Sequence, residues 1–350
     1  MPESSISKAY KSLMIIVVII AALLLAGDLI MPILFSGMIA ILLNPFHDKL
    51  EKLNINRGIA AFLVVILISI LLLSLIFILA IQSQEIVRDI PELMNNTEHF
   101  FSLDNLKDNS AYIYQYIQEH ITTIEENLDE IKNAGLKILS QGIIGLRDAL
   151  LFLILCPIYV FFMLLCKDNI YRFIRGYHPK TDDSASNDDV IKKVKNSLFS
   201  YLQGLFLVMS ISGTLTFIGL YSIGIEYALF LGALTALLTP IPYIGVFISA
   251  LIPIVLAILT KDSIWYAGGV LLVFAIVQFL EAYVFTPKIM GDSVNINPLM
   301  IVLGLIIFGS LTGIIGMIMT VPLLAISKVI IDYYPHLKPW KYLLEDVKSS

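Results

Sequence analysis

The chain has 350 residues, of which 58% are hydrophobic and only 15% charged, with a net charge of −5 and a mean hydropathy of +0.86. That composition excludes a soluble globular domain of this size and leaves a polytopic, all-α membrane protein. No nucleic-acid partner is expected of it.

Taken in order, Leu13–Ala26 and Leu29–Leu43 are two short apolar stretches that meet at Gly27 and Asp28, with Pro32 just after, and predict a tight helical hairpin. The uncharged run Ile59–Ile81 is the clearest simple span. Gln82–Gln141 follows, with 11 acidic residues against four basic. Within it Ile117, Ile121, Ile124, Leu128 and Ile131 step by four and three, a heptad seam that predicts a helix packed either on its own domain or on a second subunit. Ala149–Cys166 is a span that holds both cysteines, Cys156 and Cys166. Ten residues apart on one helix, they stand about 15 Å apart, too far for a disulfide. Lys167–Lys195 carries seven basic residues and reads as a loop, with PKTDDSASNDD as its flexible part. Ser197–Ile225, Tyr227–Thr260 and Ser263–Leu280 are three further apolar stretches. Last comes Ser293–Ser327, a run of 35 residues without a charge that is predicted to cross with length to spare. The total is about eight spans.

Lysine and arginine placement sets the expected orientation. With the amino terminus cytoplasmic, Lys8, Lys11, Lys49, Lys52, Arg57, the seven of the Lys167–Lys195 loop, Lys261, Lys338, Lys341 and Lys348 all face the cytoplasm, 16 of 23. Both termini are therefore expected inside and the acidic interval outside. The resulting division is 1–81, amino-terminal spans; 82–142, a helical extracytoplasmic domain; 143–166, the fourth span; 167–196, a cytoplasmic loop; 197–331, the transport core; and 332–350, a cytoplasmic tail.

The residues with chemistry lie in the carboxy-terminal half. In TPIPYIG, Thr239, Pro240, Pro242, Tyr243 and Gly245 interrupt a long apolar stretch, and prolines free backbone carbonyls that suit a cation or a hydroxylated solute. The stretch is either a discontinuous or re-entrant segment or a proline kink. Gln278 and Glu281 share one helix face near the end of a span, where a carboxylate is costly and marks a coupling or substrate residue. Glu226 is expected to favour the positive end of the helix that follows it. The segment FTPKIMGDSVNINP holds Pro287, Lys288, Gly291, Asp292, Asn297 and Pro298; Lys288 and Asp292 either pair across a turn or belong to a gate. Gly304, Gly309, Gly313 and Gly316 offer small faces for close helix approach, Gly309 and Gly313 in GxxxG spacing.

The sequence FLEAYVFTPKIMGDSVNINPLMIVLGLIIFGSLTGIIGMIMTVPLLAISKVI, with TPIPYIG upstream and a large insertion before the fourth span, resembles the autoinducer-2 exporter family, also called PerM-type permeases. The resemblance implies a bacterial inner-membrane transporter that assembles as a homo-oligomer. Autoinducer-2 export is associated with some branches and sodium or lithium efflux against protons with others. It carries over to Pro240, Pro242, Gly245, Glu281, Pro287, Gly291, Pro298, Gly316 and Pro322, and departs at Asn295 and Asn297, where the family often shows glycine and histidine.

The leading expectation is a secondary transporter that exports a small polar solute or moves a monovalent cation, driven by an ion gradient. The sequence has no GxxxxGK[ST] loop, HExxH or GxSxG, so ATP drive and enzyme chemistry are not expected, nor is a cofactor. The five histidines, His47, His99, His120, His178 and His336, fall in polar loops or near interfaces, and no metal is expected. A membrane scaffold that binds partners through the acidic outer domain is the alternative of another class.

Overall fold

A computed structural model describes residues 5–100, 146–176, 187–261, 263, 265–290, 296–333 and 338–345. The described residues are helical: α1 (Ser5–Lys52), α2 (Arg57–Phe100), α3 (Leu146–Leu165), α4 (Lys167–Gly176), α5 (Asn187–Ser222), α6 (Ala228–Leu238), α7 (Ile244–Thr260), α8 (Trp265–Leu280), a π-helical turn (Glu281–Phe285), α9 (Thr286–Met290), α10 (Pro298–Tyr333) and α11 (Lys338–Leu344). The heptad seam, the loop 177–186, Gly291 and Asp292 lie outside the described residues.

Five of these helices are long and apolar enough to cross a membrane, six when the pair Leu153–Leu165 and Lys167–Gly176, bent by 72°, counts as one span. The solvent they require is lipid. Along α2, Phe62, Leu67, Ile70, Leu71 and Phe77 are all more than half exposed, which water would not tolerate as a continuous surface.

Two of the predicted spans fold back on themselves, and one of them, α10, is among these five. Tyr227–Thr260 is the hairpin α6–α7. Leu231 of α6 packs in one buried cluster with Leu256 and Ala257 of α7, and the open end is clasped by Lys261 Nζ on Glu226, 3.2 Å apart. Glu226 thus serves as an ion-pair partner. Tyr227 holds the N-cap position of α6, where no side chain caps the helix.

Ser293–Ser327, the longest apolar run, is not one straight crossing either. At Thr312 (φ −142°, ψ 15°) and Gly313 (φ 67°, ψ −146°) α10 leaves helical geometry and reverses. Beyond the reversal Gly304 abuts Thr320 and Gly309 abuts Met317, where a Cβ would stand 2.6 and 2.8 Å from the facing side chain. Residues 16 apart on a straight helix would be about 24 Å apart. Gly309 and Gly313 therefore do not form a GxxxG face. Gly313 is the turn itself, at a positive φ that glycine adopts without steric cost, while Gly304, Gly309 and Gly316 let the two arms close. Asn297 caps the hairpin: its Oδ1 accepts from the Leu299 amide at 2.9 Å, and Pro298 occupies the first helical position, where a missing N–H is harmless. Its own amide donates to the Leu344 carbonyl, and Lys341 pairs with Asp332 at 2.9 Å, so α11 is clasped to α10. The Asp332 and Glu345 carboxylates hold the Lys341 ammonium above the usual lysine range. Asn297→Ala is expected to lower stability by about 1 kcal/mol, read as a small fall in the melting temperature of the solubilised protein.

At the amino-terminal end α1 breaks at Ala26, one residue before the Gly27–Asp28 junction of the two apolar stretches, and Gly27 packs against Thr312 of the α10 turn. Met31, Met38 and Met319 bury the contact between these two broken helices. At its other end α1 carries a charged latch. His47, expected in a polar loop or near an interface, is fully buried near the end of the helix. Lys167 at the start of α4 donates from Nζ to Asp48 (2.5 Å), Glu51 (2.7 Å) and His47 Nδ1 (3.1 Å). Arg57 donates to Asp168 at 2.7 Å. His47, Asp48 and Glu51 form a group of potential metal ligands, but the Lys167 ammonium already fills their centre.

Candidate functional site

The site is built around α5. Ile223 meets Gly269, Gly219 meets Val273, Ser212 bonds Glu281 and Gly204 meets Met290, so α5 runs antiparallel to α8, the π-turn and α9 in continuous register. A second flank of α5 carries the α6–α7 hairpin: a Cβ on Gly213 would stand 2.8 Å from the Gly232 carbonyl, and one on Gly232 2.7 Å from the Gly213 carbonyl. Backbones approach this closely only where side chains are absent. The same two registers place Glu281 level with Ser212, and the start of TPIPYIG within about one helical turn of it.

Glu281 opens the π-turn, a geometry that concentrates at functional sites. The Ser212 hydroxyl donates to its carboxylate at 2.7 Å, and Ser212 is itself fully buried. One turn along α5, on the stripe between the two flanks, Thr216 is fully buried and its hydroxyl has no hydrogen-bond partner. A threonine in a helix ordinarily back-bonds to the carbonyl four residues earlier, as Thr235 and Thr320 do. Leaving that hydroxyl orphaned costs about 1–3 kcal/mol. Three oxygen-bearing side chains thus share a seam whose neighbours are apolar. Gln278 is half-buried one turn before Glu281.

The TPIPYIG tip joins α6 to α7. Pro240 has no N–H for the Ala236 carbonyl, and the Ile241 amide turns to Leu238 at 3.0 Å instead of Leu237. Tyr243 turns the chain at φ 64°, ψ −58°. Pro240 and Ile241 are buried while Tyr243 is exposed, so protein covers the irregular backbone on one side. Gly245 lies against the Leu238 carbonyl across the turn. Thr239 donates back to the Thr235 carbonyl at 2.8 Å and does not face the tip as a free ligand.

Of the other predicted residues, Pro287 and Lys288 lie exposed on α9, away from the carboxylate. Pro322 and Gly316 are buried in the second arm of α10. Sequence reasoning missed Ser212 and Thr216. The available signal was the stripe Gly204, Ser212, Thr216 and Gly219 at helical spacing within an otherwise bulky span.

A bundle of lipid-exposed helices that encloses a carboxylate beside a broken hairpin defines a multi-pass membrane transporter. The profile of the family described as AI-2E family transporter matches residues 13–336, and the chain belongs to that family. It is 30% identical to YueF of Bacillus subtilis, a candidate transport protein, over 86% of this chain and 83% of the relative. It is 26% identical to the candidate permease PerM of Escherichia coli K12, over 88% of each. It is 24% identical to the AI-2 transport protein TqsA of the same organism, over 96% of this chain and 94% of the relative.

Proposed function

We propose that this chain is a secondary transporter that exports a small polar solute resembling autoinducer-2, with Glu281 as the residue that couples movement to an ion gradient. The observation that carries this reading is the carboxylate of Glu281 held by Ser212 within the helix bundle, level with the TPIPYIG tip. An ionisable group among membrane helices is retained for ion or substrate handling. Carbonyls without intrahelical donors, at Ala236 and Leu237, add acceptors for a hydroxylated cargo. The path residues are Thr239, Pro240, Pro242, Tyr243, Gly245, Gln278 and Glu281, joined by Ser212 and Thr216.

The eight apolar segments of the sequence then become six crossings and two re-entrant hairpins, α6–α7 and α10, which return to the side they leave. An even number of crossings keeps both termini on one face, the cytoplasmic one by the lysine and arginine bias, in a bacterial inner membrane. The extracytoplasmic insertion at 82–142, the cytoplasmic loop at 167–196, the transport core at 197–331 and a homo-oligomeric assembly belong to the same proposal.

A second reading, sodium or lithium exchange against protons, draws on a different property of the site: the carboxylate and two hydroxyls of Glu281, Ser212 and Thr216 are hard oxygen donors. Inverted vesicles separate the two. Uptake of labelled autoinducer-2 under an imposed proton gradient is the expected result; sodium movement without autoinducer-2 uptake overturns the first reading in favour of the second.

A further inference from the structure

The helix α4 stands apart from the bundle of spanning helices in direction and in exposure. It leaves the end of the spanning helix α3 at 72°, and none of its ten residues is buried. At about 100° per residue its side chains divide into three edges. Lys167 and Tyr171 form the half-buried edge, turned toward α5 and the latch on α1. Ile170, Phe173 and Ile174 form a second edge, and all three are exposed, Phe173 by 70%. Asp168, Asn169, Arg172 and Arg175 form the third, diametrically opposite the apolar edge. Asp168 on that edge pairs with Arg57, at the polar connection between α1 and α2.

A helix with protein on one side, an apolar edge a quarter turn away and charges opposite that edge has one environment that satisfies all three. It lies along the surface of the bilayer that α3 crosses, at the boundary between acyl chains and headgroups. The bend supplies the direction, because a helix turned by 72° from a spanning one runs close to the membrane plane. The third edge sets the lipid type, since Arg172 and Arg175 on it stand at headgroup height, where arginine bonds phosphate in a bidentate manner.

We propose that α4 is an in-plane membrane helix that buries Ile170, Phe173 and Ile174 in the bilayer and binds anionic phospholipid through Arg172 and Arg175. Because Lys167 at its start fills the Asp48, Glu51 and His47 cluster, lipid held by α4 also fixes the amino-terminal hairpin α1–α2 against α3. This inference stands apart from the identity of the cargo.

The test uses the full-length protein in vesicles of phosphatidylcholine with about one quarter phosphatidylglycerol. In a Trp265→Phe, Trp340→Phe background, Phe173→Trp reports its surroundings. Quenching by lipid brominated on the acyl chain, with little quenching by aqueous iodide, is expected. Quenching by iodide alone places the edge in water and overturns the proposal. Protection from both quenchers also overturns it, and identifies a second copy of this chain or another protein surface as what covers the edge. Lipid choice is read separately, by mass spectrometry of the solubilised wild type and of Arg172→Gln/Arg175→Gln, which leaves the fold core untouched. Retention of phosphatidylglycerol over phosphatidylcholine by the wild type, reduced roughly fivefold for each arginine removed, is expected. Equal retention of the two lipids by the wild type, or a preference that survives in the double variant, overturns the anionic-lipid assignment.

Discussion

Glu281→Gln is expected to abolish gradient-driven transport while the protein folds and inserts normally. Glutamine has nearly the volume of glutamate and its amide oxygen still accepts from the Ser212 hydroxyl, so the 2.7 Å contact and the packing of the π-turn on α5 survive. What disappears is the ability to take up and release a proton or to neutralise a cation. In everted vesicles the expected residual rate is background and no longer responds to the imposed proton gradient. Ser212→Ala is the graded companion. It removes one charge-assisted hydrogen bond, worth about 1.5–3 kcal/mol, and lowers the rate roughly 10- to 100-fold without removing its dependence on the gradient. Wild-type transport by Glu281→Gln would remove Glu281 from the mechanism.

The largest effect on stability is expected at Gly245. A methyl group there runs into the Leu238 carbonyl and stands 2.8 Å from its carbon, and backbone atoms in a five-residue turn cannot rotate aside as a side chain would. Gly245→Ala is expected to cost about 3 kcal/mol and to lower the melting temperature of the solubilised protein, with loss of transport because the TPIPYIG tip is displaced. Gly268→Ala is the control, since a Cβ there has nothing within 4 Å. Equal melting temperatures for the two variants would show that the α6–α7 turn does not hold the close approach described.

Much of this architecture is legible in the sequence, and the parts that are not share a cause. Apolar runs mark where lipid-facing helices lie, and the break at Ala26, the double-proline interruption and the isolated Glu281 all stand out by residue type. Chain reversal does not. Hydropathy is blind to direction, so the run Ser293–Ser327 reads the same whether it continues or doubles back at Thr312 and Gly313, and a positive φ at one glycine among four cannot be told from a packing glycine. Partnership is hidden for the same reason. Ser212 is one of four polar residues in the middle of α5, with Ser210, Thr214 and Thr216. Ser210 and Thr214 face outward and bond their own helix, and only the register of α5 against α8 selects Ser212 for Glu281. The burial of His47 is equally invisible in the sequence, because the Lys167 ammonium that bonds its Nδ1 is brought by α4 from 120 residues away.

The glycines of α5 have a mechanical corollary. Gly213 touches α6 backbone to backbone, so that side of the rod is smooth, whereas on the other side Val273 and Met290 seat as knobs over Gly219 and Gly204. A smooth contact resists axial slip less than an interdigitated one, and shear, the small sliding of packed helices, is one of the ways proteins change shape. Ser212 rides on the same rod, one residue from Gly213. Any slip of α5 past the hairpin would therefore carry the Ser212–Glu281 pair along with it and change its height relative to the TPIPYIG tip.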